Sequence, residues 1–187
     1  MSALPHSPAA HAAEHAERRW AQIVAGIIAL LIAMMVWTGV HWAAMPPSRV
    51  EVVDPRTLHQ HGEFIEANLG TTVDAQGQVT VRLVGQQYSF TPQCIVVPAD
   101  TPVTFRATAT DVVHGFVVGR TNANVMLIPG FVSTFTTQFR QTGELLMPCH
   151  EYCGTGHEGM WARVQVVDRN QFLQQAQAGR TVSCVPR

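Results

Sequence analysis

The chain has 187 residues, 13% of them charged, and a net charge of −1. That length accommodates one ordinary domain and a small addition. The near-neutral balance excludes the basic face a nucleic-acid partner would need, so no nucleic acid is expected.

Residues 1–19, MSALPHSPAAHAAEHAERR, are rich in alanine and histidine without an apolar stripe. They read as a mobile tail, with His6, His11 and His15 solvated rather than ligating. Residues 20–42 read as a transmembrane helix. Within them AQIVAGIIALLIAMMVWTGV carries no charge and has only Gln22 and Thr38 as polar side chains. Twenty residues of helix span roughly 30 Å, the thickness of a bilayer core. Trp20 and Trp42 stand at the two ends, where indole rings favour the membrane interface. A cleaved signal peptide has a shorter apolar core ending at small residues, so a retained anchor in a lipid bilayer is expected. Arg18 and Arg19 abut the span on one side, while Arg49 and Arg56 lie farther off on the other. The tighter pair tips the orientation and places all four cysteines outside.

Residues 43–77 read as a linker. MPPSRVEVVDP breaks any helix with Pro46, Pro47 and Pro55. A short helix is expected from about Pro55 to Leu69, with Leu58, Phe64, Ile65 and Leu69 on its apolar face and Gly70 stopping it. His59 and His61 are expected on its surface.

The texture changes over residues 78–168. VTVRLVG, QCIVV, PVTFRATA, HGFVV, NVMLI, VSTFTTQFR, GELLM and MWARVQVV are short β-rich runs separated by turn residues. Seven or eight strands with no long helix between them predict a mainly β fold, a sandwich or barrel. Residues 169–187 read as a short helix and tail, with Asp168 as N-cap and Gly179 as stop.

One stretch concentrates chemistry: CHEYCGTGHEGM, residues 149–160. Pro148 before it and Gly154, Gly156 and Gly159 within it argue against a helix, so it reads as a loop whose ends a sheet holds. Structural zinc favours thiols at short C-x2-C spacing. Here Cys149 and Cys153 stand farther apart, and Met160 offers a thioether. Thiolate, imidazole and a weak methionine sulfur are donors of copper electron-transfer sites. A mononuclear blue site needs one cysteine and two histidines. The second cysteine suggests two thiolates bridging two copper ions. Each copper then needs a terminal imidazole. His157 serves one, and His114, in TDVVHGFVV, is the leading candidate for the other. A Cys149–Cys153 disulfide would leave His114, His157 and Met160 unexplained.

The pattern C-x-E-x-C-x3-H-x2-M resembles the dinuclear copper A loop of subunit II of the haem–copper oxidases. DVVHGFVVGRTNANVMLIPGFVSTF resembles the same family, and the single span is similar to its B-type branch. The resemblance covers roughly residues 50–168. It implies a cupredoxin-like Greek-key domain on the outer, periplasmic side of a bacterial-type plasma membrane. Carried over by position, it implies that Cys149 and Cys153 bridge the coppers and that His114 and His157 each cap one. Met160 is then a weak axial ligand and Glu151 lends its backbone carbonyl. The Glu151 carboxylate keeps the option of binding Mg2+ at the contact with subunit I. Tyr88 matches the aromatic position where electrons enter, in place of the tryptophan of two-span members. Trp161 is a second aromatic beside the cluster. The implied donor is cytochrome c or a similar soluble protein, and the implied acceptor is a haem in subunit I, which reduces O2 and pumps protons. The electron-input subunit of a copper A-containing nitric oxide reductase and a copper-binding or assembly module are the alternatives. Cys94 and Cys184 are open to pairing as a disulfide or to standing as two thiols.

Overall fold

A computed structural model describes residues 8–42, 50–176 and 180–184. Expectations for His6, Pro46, Pro47, Arg49 and Gly179 lie outside these residues. The chain divides into two units, Met1–Arg49 and Val50–Arg187.

The described residues of the first unit form one helix, α1, running Pro8–Trp42. Most of the stretch expected to be a tail is therefore helical. Alanine has the highest helix propensity, and residues 8–19 contain enough of it to carry the helix upstream of the apolar run. Proline at its first position costs no hydrogen bond. Ile23, Ile27, Leu31, Met35 and Val40 are all exposed. A helix apolar all round, with these side chains exposed, suits lipid rather than a protein core.

The second unit opens with turns rather than the expected helix. Residues 55–65 make a series of turns that ends in a 3-10 helix, Glu66–Asn68. The apolar spacing was too ragged to sustain α-helix. Leu58, Phe64 and Leu69 nevertheless reach a small core with Val84. His59 and His61 are exposed, as expected.

Ten strands follow: β1 Gly70–Val73, β2 Val79–Gln86, β3 Ser89–Thr91, β4 Cys94–Pro98, β5 Pro102–Ala109, β6 His114–Val117, β7 Asn124–Leu127, β8 Ser133–Gln138, β9 Gly143–Pro148 and β10 Trp161–Val167. β1 lies inside the stretch expected as linker. One sheet runs β1-β2-β5-β8 with β3 also on β2, a second runs β4-β10-β9, and β6 and β7 form a hairpin. β2 is parallel to β5 and β10 is parallel to β4, while the other pairs are antiparallel. Val81 and Leu83 of β2, Phe105 of β5, Ile95 and Val97 of β4, Val164 of β10 and Met147 of β9 share one core, which makes the two sheets a sandwich. Phe105 stacks on Phe135 with centroids 5.0 Å apart, and Phe90 meets Phe116 edge-on at 6.0 Å.

The C-terminal helix α2 spans Arg169–Gln175, and the Asp168 carboxylate accepts the Asn170 N–H at 2.8 Å as its cap. Beyond it Val182 pairs with Thr71 and Ser183 with Ile95. A disulfide joins Cys94 to Cys184. The terminal segment thus straddles β1 of one sheet and β4 of the other.

Arg82 and Arg106 sit side by side on the parallel strands β2 and β5. Their repulsion is relieved by Glu63, which accepts from Arg82 Nε at 3.2 Å and Arg106 Nε at 2.6 Å, while Glu51 closes on the same Arg106 guanidinium. Burial alone would raise the Glu63 pKa, but hydrogen bonds and charge from Arg106 and Arg82 outweigh it and hold the carboxyl below its ordinary value of 4.5. A depressed carboxylate contributes stability that is present above the unfolded pKa and lost as pH falls through the folded one. Glu63→Gln should therefore lower the urea midpoint at neutral pH, and its gap from wild type should close on acidification below about pH 4. Urea titrations across that range would show it.

Candidate metal centre

β9 and β10 are antiparallel neighbours, with Pro148 opposite Trp161. The loop between them carries the motif. The Cys149 N–H donates to the Met160 carbonyl at 2.9 Å and closes its neck, so the first and last donors of the motif face each other. His157 opens a 3-10 turn, His157–Gly159. The remaining donor, His114, begins β6. Phe116 bridges to Cys149, and the His150 N–H donates to the Gly115 carbonyl at 3.1 Å, so β6 is laced directly to the loop.

The sequence-derived donors converge. One ligand atom each from His114, Cys149 and Cys153 lie within 4.8 Å of one another. The Cys153 Sγ is 3.9 Å from Cys149 Sγ, 3.7 Å from His157 Nδ1 and 3.7 Å from Met160 Sδ. The Glu151 backbone carbonyl points at Cys149 Sγ from 3.3 Å. Cys149 and Cys153 are both free thiols, which removes the disulfide alternative. His114, Cys149, Cys153 and Met160 are buried, while His157 and Glu151 are half-buried.

Two features test whether this set suits a metal. His114 Nε2–H donates to Asp111 Oδ1 at 2.8 Å, while its buried Nδ1 has no hydrogen-bond partner among the described residues. A carboxylate on one ring nitrogen and a lone pair on the other is the usual arrangement of a ligating histidine. Burial, and then the neighbouring Cys149, push the Cys153 thiol up to about 11. Two thiolates this close in an apolar pocket form only where a cation neutralises them. The donors therefore fit a soft metal.

Asp111 was not singled out from the sequence, although a carboxylate three residues before a candidate ligand was a legible signal. Burial would raise its pKa, but it is lowered overall by the Gln87 backbone N–H, His114 and the Val112 N–H. Gln87, in the turn between β2 and β3, carries no recognisable motif and was missed as well. Tyr88 beside it is 39% exposed and packs over the loop, its hydroxyl 3.4 Å from Thr155 Oγ1. Trp161 is 46% exposed, and its indole N–H donates to the Glu158 carbonyl at 2.6 Å. Both aromatics therefore reach the surface beside the ligand loop.

Among the described residues, one long apolar helix preceding a mainly β, cupredoxin-like domain with a buried soft-donor site defines the class. The family profile described as "Cytochrome C oxidase subunit II, periplasmic domain" matches residues 76–167. Cytochrome c oxidase subunit 2 of Thermus thermophilus is 34% identical over 152 residues, covering 80% of this chain and 90% of the relative. The Saccharomyces cerevisiae subunit 2 is 33% identical over 84 residues, 45% of this chain and 34% of that one. A chain of a heme–copper terminal oxidase dimer solved by cryo-EM superposes with a TM-score of 0.58 at 25% identity, covering 81% of this chain and 99% of that one. The chain belongs to the cytochrome c oxidase subunit II family. It is accordingly an electron-input subunit of a haem–copper oxidase, an oxidoreductase complex. With one described helix long and apolar enough to cross a bilayer, it is a single-pass membrane protein with an external C-terminal domain.

Proposed function

We propose that the chain takes single electrons from a soluble cytochrome c or similar donor at a dinuclear copper A centre and delivers them to haem in subunit I, where O2 reduction drives proton pumping. The observation that carries this reading is the convergence of two unbonded buried thiols, 3.9 Å apart, with the unpartnered Nδ1 of buried His114. Cys149 and Cys153 would bridge the metals, His114 and His157 would each cap one, and Met160 and the Glu151 carbonyl would be the weak ligands. When bound, a thiolate-bridged copper pair supplies a one-electron couple with the odd electron shared over two metals and two sulfurs.

The rest of the work falls to the protein. β6, β9 and β10 hold the donors at fixed separations, so little has to move when charge arrives or leaves. Burial keeps water from the sulfurs. Tyr88 and Trp161 offer a donor protein aromatic contact close to the ligand loop, in keeping with Tyr88 as the point where electrons enter. The half-buried Glu151 carboxylate would be the chain's contribution to a Mg2+ site at the subunit I contact, its other ligands coming from that partner. The Cys94–Cys184 disulfide belongs to an oxidising compartment and supports placing the domain on the periplasmic side of a bacterial-type plasma membrane.

Copper loading of the full-length chain in detergent tests the reading. The expected result is two tightly held coppers per chain, an EPR signal from one electron shared over two copper nuclei, and rapid reduction by ferrocytochrome c. A single copper with a mononuclear spectrum would overturn it.

A further inference from the structure

We infer that Gln87 is a positioning residue for the metal centre: its side-chain amide anchors the peptide carbonyl of Cys153, and its backbone N–H anchors the Asp111 carboxylate that orients His114. One residue of the β2–β3 turn thereby sets the relation between the two segments that carry the donors. The functional consequence rests on the copper reading above, whereas the geometry stands without it.

Gln87 Nε2 donates to the Cys153 carbonyl at 2.6 Å. The Gln87 N–H donates to Asp111 Oδ2 at 2.7 Å. Asp111 Oδ1 in turn accepts from His114 Nε2 at 2.8 Å and from the Val112 N–H at 2.7 Å. A continuous run of hydrogen bonds therefore links the β9–β10 loop to the β6 ligand through residue 87. The Cys153 carbonyl belongs to the peptide plane that follows Cys153. Fixing that plane fixes the backbone torsion from which the Cys153 side chain springs. Cys153 Sγ is the atom nearest to the most other donors, so a small rotation there is felt by Cys149, His157 and Met160 together.

The loop is shaped to receive the turn. A Cβ on Gly154 would stand 2.9 Å from Gln87 Nε2 and 2.6 Å from the Tyr88 hydroxyl, and one on Gly156 would stand 2.6 Å from the Tyr88 ring. Gly154 also has φ +133°, where side chains are strained. Two glycines in the motif therefore do more than break helix: they let residues 87 and 88 lie flat on the loop. Gln87 is exposed, so its amide could hydrogen-bond to water instead, and the directed contact with Cys153 is a structural commitment.

Gln87→Glu keeps the size of the side chain and removes the N–H donor, while Gln87→Met keeps the length without charge. In the metal-free full-length chain, hydrogen exchange at the His157, Gly159 and Met160 amides should accelerate roughly tenfold in both variants, the effect of losing one hydrogen bond. Exchange in β4 and β10 should stay at wild-type rates, which separates positioning from general loosening. In copper-loaded variants, extraction by a chelator should quicken by about the same factor and the sulfur-to-copper absorption band should shift. Wild-type exchange in Gln87→Met overturns the inference. So does acceleration in Gln87→Glu alone, which traces to the new charge beside Asp111. A wild-type chain that holds no copper pair sinks the functional reading, yet the metal-free exchange still decides the role of Gln87.

Discussion

Cys153→Ser is expected to abolish the shared-electron EPR signal of the copper-loaded chain while leaving the β-sandwich folded, and Cys149→Ser is expected to do the same. A serine hydroxyl is a hard, barely acidic oxygen and does not replace a bridging thiolate. Cys153 Sγ lies within 4 Å of Cys149 Sγ, His157 Nδ1 and Met160 Sδ, so removing it takes the shared vertex from the donor set. The remaining sulfur can hold a single copper, and the spectrum should change from dinuclear to mononuclear. The fold has independent support, because the core that Cys149 and Cys153 join is built mostly from the strands of the two sheets. Burying one hydroxyl costs on the order of 1–3 kcal/mol. EPR with copper quantitation, beside circular dichroism for folding, reads both halves of the expectation. A native spectrum in either serine variant would remove the bridging assignment.

The second large effect concerns stability. Replacing Cys94 and Cys184 together by serine should lower the melting temperature of the metal-free protein by roughly 5–15 °C, corresponding to about 2–4 kcal/mol. The disulfide closes a loop of 90 residues, nearly the whole sandwich, and cross-links over long loops restrict the unfolded chain most. It also holds a segment that pairs with Thr71 on one sheet and Ile95 on the other, so its loss frees a strap between the layers. The copper spectrum of this variant should match wild type, since neither cysteine contributes to the donor cluster. Calorimetry of the double variant decides the matter. An unchanged melting temperature would mean that the pairing of Val182 and Ser183 holds the strap unaided.

The sequence was legible where side-chain pattern and structure coincide. Alternation in VTVRLVG and WARVQVV marks β2 and β10, and every run read as a strand is one. β1 and β3 went unread because GTTV and SFT are too short to show a period, and their pairing is decided by the long neighbour β2. The expected helix at residues 55–69 failed for the opposite reason. Of the expected apolar face, Leu58, Phe64 and Leu69 are buried and Ile65 is half-buried, but burial alone does not specify the backbone path that achieves it. At the upstream end composition is decisive, since alanine carries α1 back to Pro8.

The candidate donors were legible because metal chemistry restricts which residues can stand together, and CHEYCGTGHEGM displays most of them within one loop. His114 needed the argument that a terminal ligand was missing. Asp111 and Gln87 act through hydrogen bonds that exist only in the folded chain, and Gln87 belongs to no motif whose spacing announces it. The pairing of Cys94 with Cys184 depends on where a tail returns, which only the folded chain shows.

The parallel pairing of β10 with β4 bears on how the protein matures. The ligand loop is closed locally by β9 and β10, yet it is seated in the sandwich only once β10 has found a strand from much earlier in the chain, and such non-local contacts form slowly. Its near partner on β6 comes from yet another region. A metal arriving during synthesis would meet loose thiols on a flexible chain rather than a cage. The donor cage is therefore complete only in the finished domain, where β6 is laced to the loop between β9 and β10.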